Sequence, residues 1–525
     1  MKRNLIYIMM ALFIMTGMLY SCKDDSDVTE ITDPSDPNNP ENPDDPSDGN
    51  DPLDPANPNP PSTIGGKQVI GYITQWDAWK TSEHGLPDQG VCNQLNLDFS
   101  KYTILNYSFF GVAKDGSIHS GDYRNKDIWM QGVEQDPNHL LRNVYDSWDY
   151  WLLYGDLDLV HEISEWNQDK LNGEYENYNG GWKHIPTGLT GEFPIPLHKT
   201  GSAKGLFELS KENNTKLMAS IGGWSMCKHF PEMAADPAKR KRFIEDCKIL
   251  IRMGFDGIDL DWEYPGPFAG MNFTGSQSDF VNFEKLVEEL RAELGENRLI
   301  TSCFSTVPQK LQGFNWGKLN GLMDFYNIMS YDMHGGWSTK AGHNSPLYPY
   351  DGEEEGTLSW ETTRQALTNS GIQMSKVNMG MPFYGRAVVT QGNAALHTPL
   401  VKRSMTIQPD GAIESAADYD NFGQFDGTPF FSYIDKNTAG WTRHWDDQAK
   451  VPYKTNGNYF ISYDDQESIR LKAEYIKDNN LAGAIVWQVY GDVNYGSVSS
   501  VYGGKLRQTS NNQSPLIDTV VDTFQ

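Results

Sequence analysis

From about residue 68 onward, short runs rich in β-branched and aromatic residues alternate with longer amphipathic segments. The runs are "QVIGYITQW" (68–76), "YTILNYSFFGV" (102–112), "KLMASIGGW" (216–224), "GIDLDWEY" (257–264), "LITSCFSTV" (299–307), "DFYNIMSYD" (324–332), "VNMGMPFYG" (377–385) and "AGAIVWQVY" (482–490). Their composition predicts eight strands. Several intervening segments repeat apolar residues at helical spacing. "DPAKRKRFIEDCKILIRMG" (236–254) opens on Asp-Pro and places Phe243, Cys247 and Leu250 near one face. "SDFVNFEKLVEELRAELG" (278–295) places Phe280, Phe283, Leu286, Val287 and Leu290 on one face and stops at a glycine. "DDQESIRLKAEYIKDNNL" (464–481) precedes the last run, and "SPLIDTVVDTFQ" (514–525) begins with a Ser cap and Pro at the first helical position. Strand–helix alternation implies parallel strands, and eight such units predict an α/β fold of the (β/α)8 TIM-barrel class running from residue 66 to 525. The 514–525 segment is expected as its eighth helix.

Two connections exceed plain barrel loops. Residues 113–215 form a long loop insertion dense in Trp and Tyr ("YDSWDYWLLYGDLDL"). Residues 386–463, with "SAADYDNF", "WTRHWDDQAKVPY" and "NYFISYDD", read as an α+β insertion domain between the seventh and eighth strands. Each is open to a second reading, as an excursion that only stabilises the barrel.

The fourth run carries the most informative polar pattern. In "GFDGIDLDWEYPG" (254–266), Asp259, Asp261 and Glu263 fall on every second residue, with Ile258, Leu260 and Trp262 between them. Strand side chains alternate sides, so the three acids share one face. The outer face of a parallel barrel packs on helices, which turns the acids inward. A solvated edge strand would alternate too, but this strand follows a helix and is fourth of eight. Buried carboxylates are costly unless they share protons and hydrogen bonds, and crowding raises the proton affinity of at least one. Glu263 falls at the C-terminal end, where barrel enzymes keep their chemistry, and is suited to be a general acid. A glycosidase pair needs a second carboxylate at a fixed separation. Asp261, about 6–7 Å away along the same strand, approaches from the same side, so it is badly placed to attack the opposite face of a sugar. The residues alone leave the mechanism open.

Composition adjusts this picture at the edges. The chain has 525 residues and a net charge of −27, which argues against nucleic-acid binding. Much of that acidity lies in residues 24–62, rich in Pro, Asp and Asn, which cannot bury a core and read as an extended tether. Residues 1–21 have a basic start (Lys2, Arg3) and then an apolar run too short for a stable span, as in a secretory signal. A buried N-terminal helix is the alternative. The run ends at "LYSC", which resembles a bacterial lipoprotein box and makes Cys22 the expected lipidation site, with residues 22–65 as lipidated Cys and tether. The "KDD" that follows resembles the signal for the outer cell surface, so an outer-membrane, surface-exposed lipoprotein is expected. Cys92, Cys227, Cys247 and Cys303 show no CxxC pair. Export permits disulfides, four cysteines allow three full pairings, and buried free thiols fit equally well. No H-x-x-x-H pair occurs, so no metal or cofactor is implied. His334 reads as lining the cleft or as packing.

"FDGIDLDWEYPG" carries a D-x-x-D-x-D-x-E signature that resembles that of glycoside hydrolase family 18, the chitinases. "ASIGGW" (219–224), "MSYDMHG" (329–335), "MPFYGR" (381–386) and the strand containing Trp487 resemble further motifs of that family, in the right order. The resemblance implies a retaining, substrate-assisted reaction. Glu263 would protonate the glycosidic oxygen while the substrate's own N-acetyl oxygen forms an oxazolinium ion. Asp261 would hold the acetamido N–H, Asp259 would share its proton, and Asp256 would anchor the strand's start. Tyr331 would bond the acetamido carbonyl and Asp332 would hold the sugar ring distorted. Tyr72 and Ser220 would support the buried aspartates at the substrate site, and Trp487 would floor it. Trp224 and Trp337 are candidate sugar platforms or core residues; Tyr384 and Arg386 are candidates for substrate binding or for bracing the cleft.

The expectation is therefore a secreted chitinase acting on chitin or chitooligosaccharides, a monomer that meets the membrane only through Cys22. Two rivals are an endo-β-N-acetylglucosaminidase acting on N-glycan cores and a non-catalytic glycan-binding protein. The 386–463 insertion speaks against the first. Retention of both Asp261 and Glu263 speaks against the second.

Overall fold

The computed structural model describes residues 60–82, 85–120, 148–271, 273–354, 358–401 and 427–525. The signal segment, Cys22, the tether up to residue 59 and "SAADYDNF" lie outside them. Every described residue belongs to one compact unit within 52–525.

Eight strands form where the β-rich runs predict them. They are β1 (Gln68–Thr74), β2 (Ile104–Val112), β3 (Lys216–Gly222), β4 (Gly257–Asp261), β5 (Leu299–Ser305), β6 (Phe325–Met329), β7 (Val377–Pro382) and β8 (Gly483–Trp487). Each pairs in parallel with its sequence neighbour, and β1 pairs with both β2 and β8, so the sheet closes into a (β/α)8 barrel. Most runs stop a few residues short of their sequence limits. The ladder ends at Asp261, and Glu263 stands just beyond the strand it was assigned to.

Two separate apolar clusters reflect strand alternation. A large one fills the space between sheet and helices, with Ile258, Leu260 and Trp262 within it. Trp262 stacks on Phe230 at 5.4 Å and faces Phe283 of the helix Asp279–Leu294. A small one holds Ile70, Ile104, Met218, Leu299 and Ile485, the residues of the opposite parity, inside the barrel.

The helices begin and end where the sequence signals fall. Asp236 accepts hydrogen bonds from the Ala238 and Lys239 amides ahead of Pro237–Met253, and Gly295 leaves Asp279–Leu294 at φ +72°. The last helix, Pro515–Phe524, packs on Gln466–Asp478. Its cap is not the expected one. The Ser514 side chain makes no cap bond, and Asp492 Oδ2 instead accepts from the Leu516 and Ile517 amides at 2.9 and 3.0 Å. A carboxyl group brought from the segment after β8 takes both amides, and the local hydroxyl has no part in the cap.

The described part of the 113–215 segment, expected as a long loop, is folded. It carries a helix at Trp148–Tyr154, a strand pair Leu157–Val160 with Ile195–His198, and a small sheet of Tyr175–Tyr178, Gly181–His184 and Thr190–Gly191. Its last part, Leu206–Glu212, is the helix that leads into β3. Its aromatic density is largely core, since Trp148, Trp151 and Trp182 are almost wholly buried. The second insertion has the α+β character expected. Arg386–Val389, Tyr459–Ser462, Val451–Asn456 and Thr442–Asp446 form an antiparallel sheet in that order, with a helix at Phe431–Asn437. All four cysteines of the described residues are buried free thiols, which settles the open question against disulfides.

A buried ion pair lies where the chain leaves this insertion and returns to the barrel. Lys472 Nζ lies 2.7 Å from both carboxylate oxygens of Asp464 and 2.8 Å from Ser345 Oγ, with neither charge exposed. Removing one partner strands the other charge. Asp464→Ala is expected to cost about 3–5 kcal/mol of stability, read from the denaturant midpoint. A loss below about 1 kcal/mol would show that Lys472 finds water instead.

Candidate active site

Strand alternation threads the three acids into the barrel as a column. At its base Asp256, out of phase with the others, stays at the strand's start. Its Oδ2 accepts from the Leu217 amide at 2.9 Å and its Oδ1 lies 3.3 Å from Lys216 Nζ. Asp259 is wholly buried and takes four hydroxyl and amide donors, with the Cys303 thiol as a fifth at 4.0 Å. Thr301 Oγ1 (2.5 Å) and Asn327 Nδ2 (3.3 Å) reach Oδ1, while Ser220 Oγ (2.7 Å) and Tyr72 OH (3.0 Å) reach Oδ2. Burial raises its proton affinity and these bonds oppose the rise. Ser220 is therefore beneath the cavity, supporting Asp259 rather than touching a ligand. Tyr72 does both, for it also lines the cavity.

Asp261 lies above Asp259 and is 2 % exposed. Burial raises its proton affinity well above the usual carboxylate range, and Glu263 and Asp259 raise it further. Its Oδ1 is buried with no hydrogen-bond partner among the described residues. Glu263 stands at the mouth. Burial pushes its carboxyl up to about 7, while Tyr264 and Lys310 hold it down and Asp332 adds a smaller push upward.

These residues open into a cavity of about 500 Å³, within the range of small-molecule sites. Asp261, Glu263, Tyr331, Asp332, Tyr72, Trp224, Trp337, Tyr384, Arg386 and Trp487 all line it. Ten of the twelve residues singled out from sequence thus converge on one cavity, and Asp259 and Ser220 lie under it. Asp332 holds a left-handed backbone (φ +58°), with its amide donating to Asn344 Oδ1 at 2.9 Å. Its carboxylate is gripped by Arg386, Nε to Oδ1 at 2.8 Å and a terminal nitrogen to Oδ2 at 2.7 Å, and accepts from Tyr384 OH at 2.5 Å. Arg386 in turn lies 4.8 Å over the Trp337 ring, which is 37 % exposed. Trp487 packs against Tyr72 (5.6 Å), Phe109 (5.7 Å) and Trp76 (6.1 Å), forming an aromatic floor. The Trp224 indole N–H is buried with no acceptor among the described residues. His334 is not part of the lining; it is buried, facing Glu353 at 3.3 Å.

Sequence reasoning missed several contributors. Thr301, Cys303 and Asn327 lie at inward positions of β5 and β6, so strand parity would have found them. Cys303 Sγ lies 2.9 Å from Tyr72 OH. Cys227 carries no such signal. Its Sγ lies 3.0 Å from the carbonyls of Gly223 and Asp261 and accepts from the Glu263 amide at 3.2 Å, pinning the backbone on both sides of Trp262. Trp76, Phe109, Tyr264 and Lys310 also line the cavity. The 386–463 insertion contributes Arg386 and Thr428, whereas no described residue of 113–215 does.

Among the described residues, three carboxylates face the cavity, and Asp332 is already neutralised by Arg386. The remaining two are two residues apart, at and just beyond the end of β4. Such an arrangement can deliver a proton at Glu263 and stabilise a positive charge or an N–H group at Asp261. It offers no carboxylate from the opposite side.

Residues 68–492 match the family model described as glycosyl hydrolases family 18. Chitinase A1 of Niallia circulans is 32% identical over 451 residues, covering 81% of this chain and 57% of that protein. A probable endochitinase of Caenorhabditis elegans is 32% identical over 340 residues, 61% of this chain and 52% of that one. The chain thus spans little more than half the length of these relatives. Among solved structures, chitinase ChiA74 from Bacillus thuringiensis is 26% identical with a TM-score of 0.62, covering 87% of this chain and 69% of that one. The Ostrinia furnacalis group IV chitinase shares the fold at 22% identity and a TM-score of 0.58, over 87% of this chain and 99% of that one.

The charge state of Glu263 is directly measurable. Carboxyl carbon NMR on glutamate-labelled protein, with Glu263→Gln to assign the signal, should find a midpoint near 7. A midpoint in the ordinary range of about 4–5 would show that the site is wetter than its burial indicates.

Proposed function

The chain belongs to glycosyl hydrolases family 18, and on that premise we propose that it is a chitinase cleaving β-1,4-linked N-acetylglucosamine chains with retention of configuration. The observation that carries the mechanism is the absence, among the described cavity residues, of a free carboxylate opposite Glu263. The substrate's acetamide oxygen then serves as the nucleophile. It attacks the anomeric carbon as the glycosidic C–O bond breaks. The electron pair of that bond goes to the leaving oxygen, which takes the proton of Glu263. A bicyclic oxazolinium ion results, and water activated by the Glu263 carboxylate opens it.

The surrounding groups suit this course. Asp261 Oδ1, buried without a partner, is available to accept the acetamido N–H and to offset the positive charge of the ion. Asp259 lies below it among four hydroxyl and amide donors and favours a shared proton between the two aspartates. Tyr331 is placed to donate to the acetamide oxygen, and Asp332, fixed by Arg386 and Tyr384, to hold the ring away from its relaxed chair. Trp487, with Trp76 and Phe109 behind it, offers an apolar face to the acetamide methyl. Arg386 and Thr428 from the insertion deepen one side of the cleft, which favours polymeric substrates.

We place this activity on a secreted lipoprotein at the outer face of the outer membrane. The reading rests on the basic start, the apolar run, "LYSC" at Cys22 and the acidic "KDD" after it. Palmitate labelling that persists in Cys22→Ala would sink it.

The substrate is decided by incubating the protein separately with chitin oligosaccharides and a high-mannose glycoprotein, with products read by mass. Oligosaccharide cleavage is expected. Glycoprotein cleavage with intact oligosaccharides would overturn the chitinase reading, and inertness toward both would favour a binding protein. Glu263→Gln should lose about 100- to 10,000-fold in turnover while the oligosaccharide still binds. Substantial remaining turnover would show the acid to be another residue.

A further inference from the structure

The cavity holds three cations, and two of them are already neutralised. Arg386 is held by Asp332, and Lys80 Nζ lies 2.9 Å from Asp77 Oδ1. The third, Lys310, has no ion-pair partner among the described residues. It belongs to the short helix Pro308–Leu311, just beyond the end of β5. Leu311 anchors that turn in the core, and the Lys310 amide donates to the Val307 carbonyl at 3.0 Å. The side chain is thereby aimed along the cavity wall. Its ammonium lies 3.7 Å over the ring of Tyr264 and 5.7 Å from that of Phe268. Tyr264 follows Glu263 in the chain and is hydrogen-bonded to its carboxyl group.

An unpaired, partly desolvated ammonium is unfavourable unless a negative charge compensates it. The aromatic face supplies part of that compensation. The other nearby acceptor of positive charge is Glu263, which bears a charge only after it has given up its proton. We propose that Lys310 acts through the acid, stabilising the carboxylate that Glu263 becomes when the glycosidic oxygen takes its proton, and that the Tyr264 ring holds the ammonium in place for this. Lys310 is thus a positioning residue whose charge sets the strength of the acid. Its catalytic consequence rests on the glycosidase reading of the site, whereas its electrostatic effect on Glu263 does not.

The mutual influence supports this geometry. Lys310 lowers the proton affinity of Glu263 against the rise that burial imposes, and burial lowers that of Lys310. The other groups facing Glu263 do not provide a cation. Asp261 precedes it on the strand, Asp332 stands with Arg386 beyond β6, and the Tyr264, Cys227 and Cys303 protons are held far above neutrality by burial. Removing the Lys310 charge therefore takes away a cation that opposes the effect of burial on the acid. The Glu263 carboxylate becomes less favourable, the proton is retained to higher pH, and the acid weakens.

The test uses K310Q and K310R beside the unmodified protein, with two readouts. The Glu263 NMR midpoint in K310Q should rise by about half a pH unit or more. The basic limb of kcat/KM on a chitin oligosaccharide should move up with it, with lower turnover on its plateau. K310R should restore both, since it keeps the charge on a similar stem. An unmoved or lowered midpoint in K310Q, or a K310R that behaves like K310Q, would overturn the proposal. A midpoint that rises while the rate profile stays put would overturn the catalytic consequence. If the unmodified protein proves inert on the oligosaccharide, the chitinase reading falls, and the midpoint still decides whether Lys310 governs Glu263.

Discussion

A carboxylate without solvent lies inside the barrel at Asp259, and four neutral side chains from four different strands turn their donors toward it. An ion of that size costs several kcal/mol to bury unless such donors are present. The donors do not reach Asp261, which is one step higher on the same strand. Burial raises the proton affinity of both aspartates, and the donors oppose that rise at Asp259, so Asp261 holds a proton more tightly. Glu263, a further step up and at the cavity's edge, is raised less. The column grades from a raised but donor-stabilised carboxyl group at the base, through a more strongly raised one, to an acid near neutrality at the mouth.

That gradation depends on rigidity, and the barrel supplies it from both sides. Inside, Tyr72 links Asp259 to Cys303 and to the aromatic floor under Trp487. Outside, Trp262 is clamped between Phe230 and Phe283, while Cys227 holds the backbone at Asp261 and Glu263. The alternation that sends acids inward sends Trp262 into the helix layer, so one local period fixes both the chemistry and its anchor. The cavity's positive charges are arranged as carefully as its acids. Arg386 is committed to Asp332, which leaves Lys310 to answer the charge on Glu263.

The two insertions show how far composition reaches. Aromatic density in 113–215 and polar alternation in 386–463 both marked extra structure. Neither pattern said which one meets the site. The first buries Trp148, Trp151 and Trp182 in the core, and the second reaches the cavity through Arg386 and Thr428. The last helix teaches the same lesson on a smaller scale. Ser514 sits at the cap position, yet Asp492, distant in sequence, takes the two amides.

The sequence by itself determined the strand count, the barrel class, the inward column of acids and ten residues of the cavity lining. These follow from periods of two and near 3.6 residues and from short motifs, all of which act over a few neighbours in the chain. Only the tertiary structure decided that Asp259 has four hydroxyl and amide partners, that Cys227 and Cys303 are thiols built into the site, and that Lys310 is the cavity's unpaired cation among the described residues. Those depend on which strands and loops closure brings together, and on how much water closure removes. Neither the partners nor the dielectric around a charge is encoded within a window of neighbouring residues.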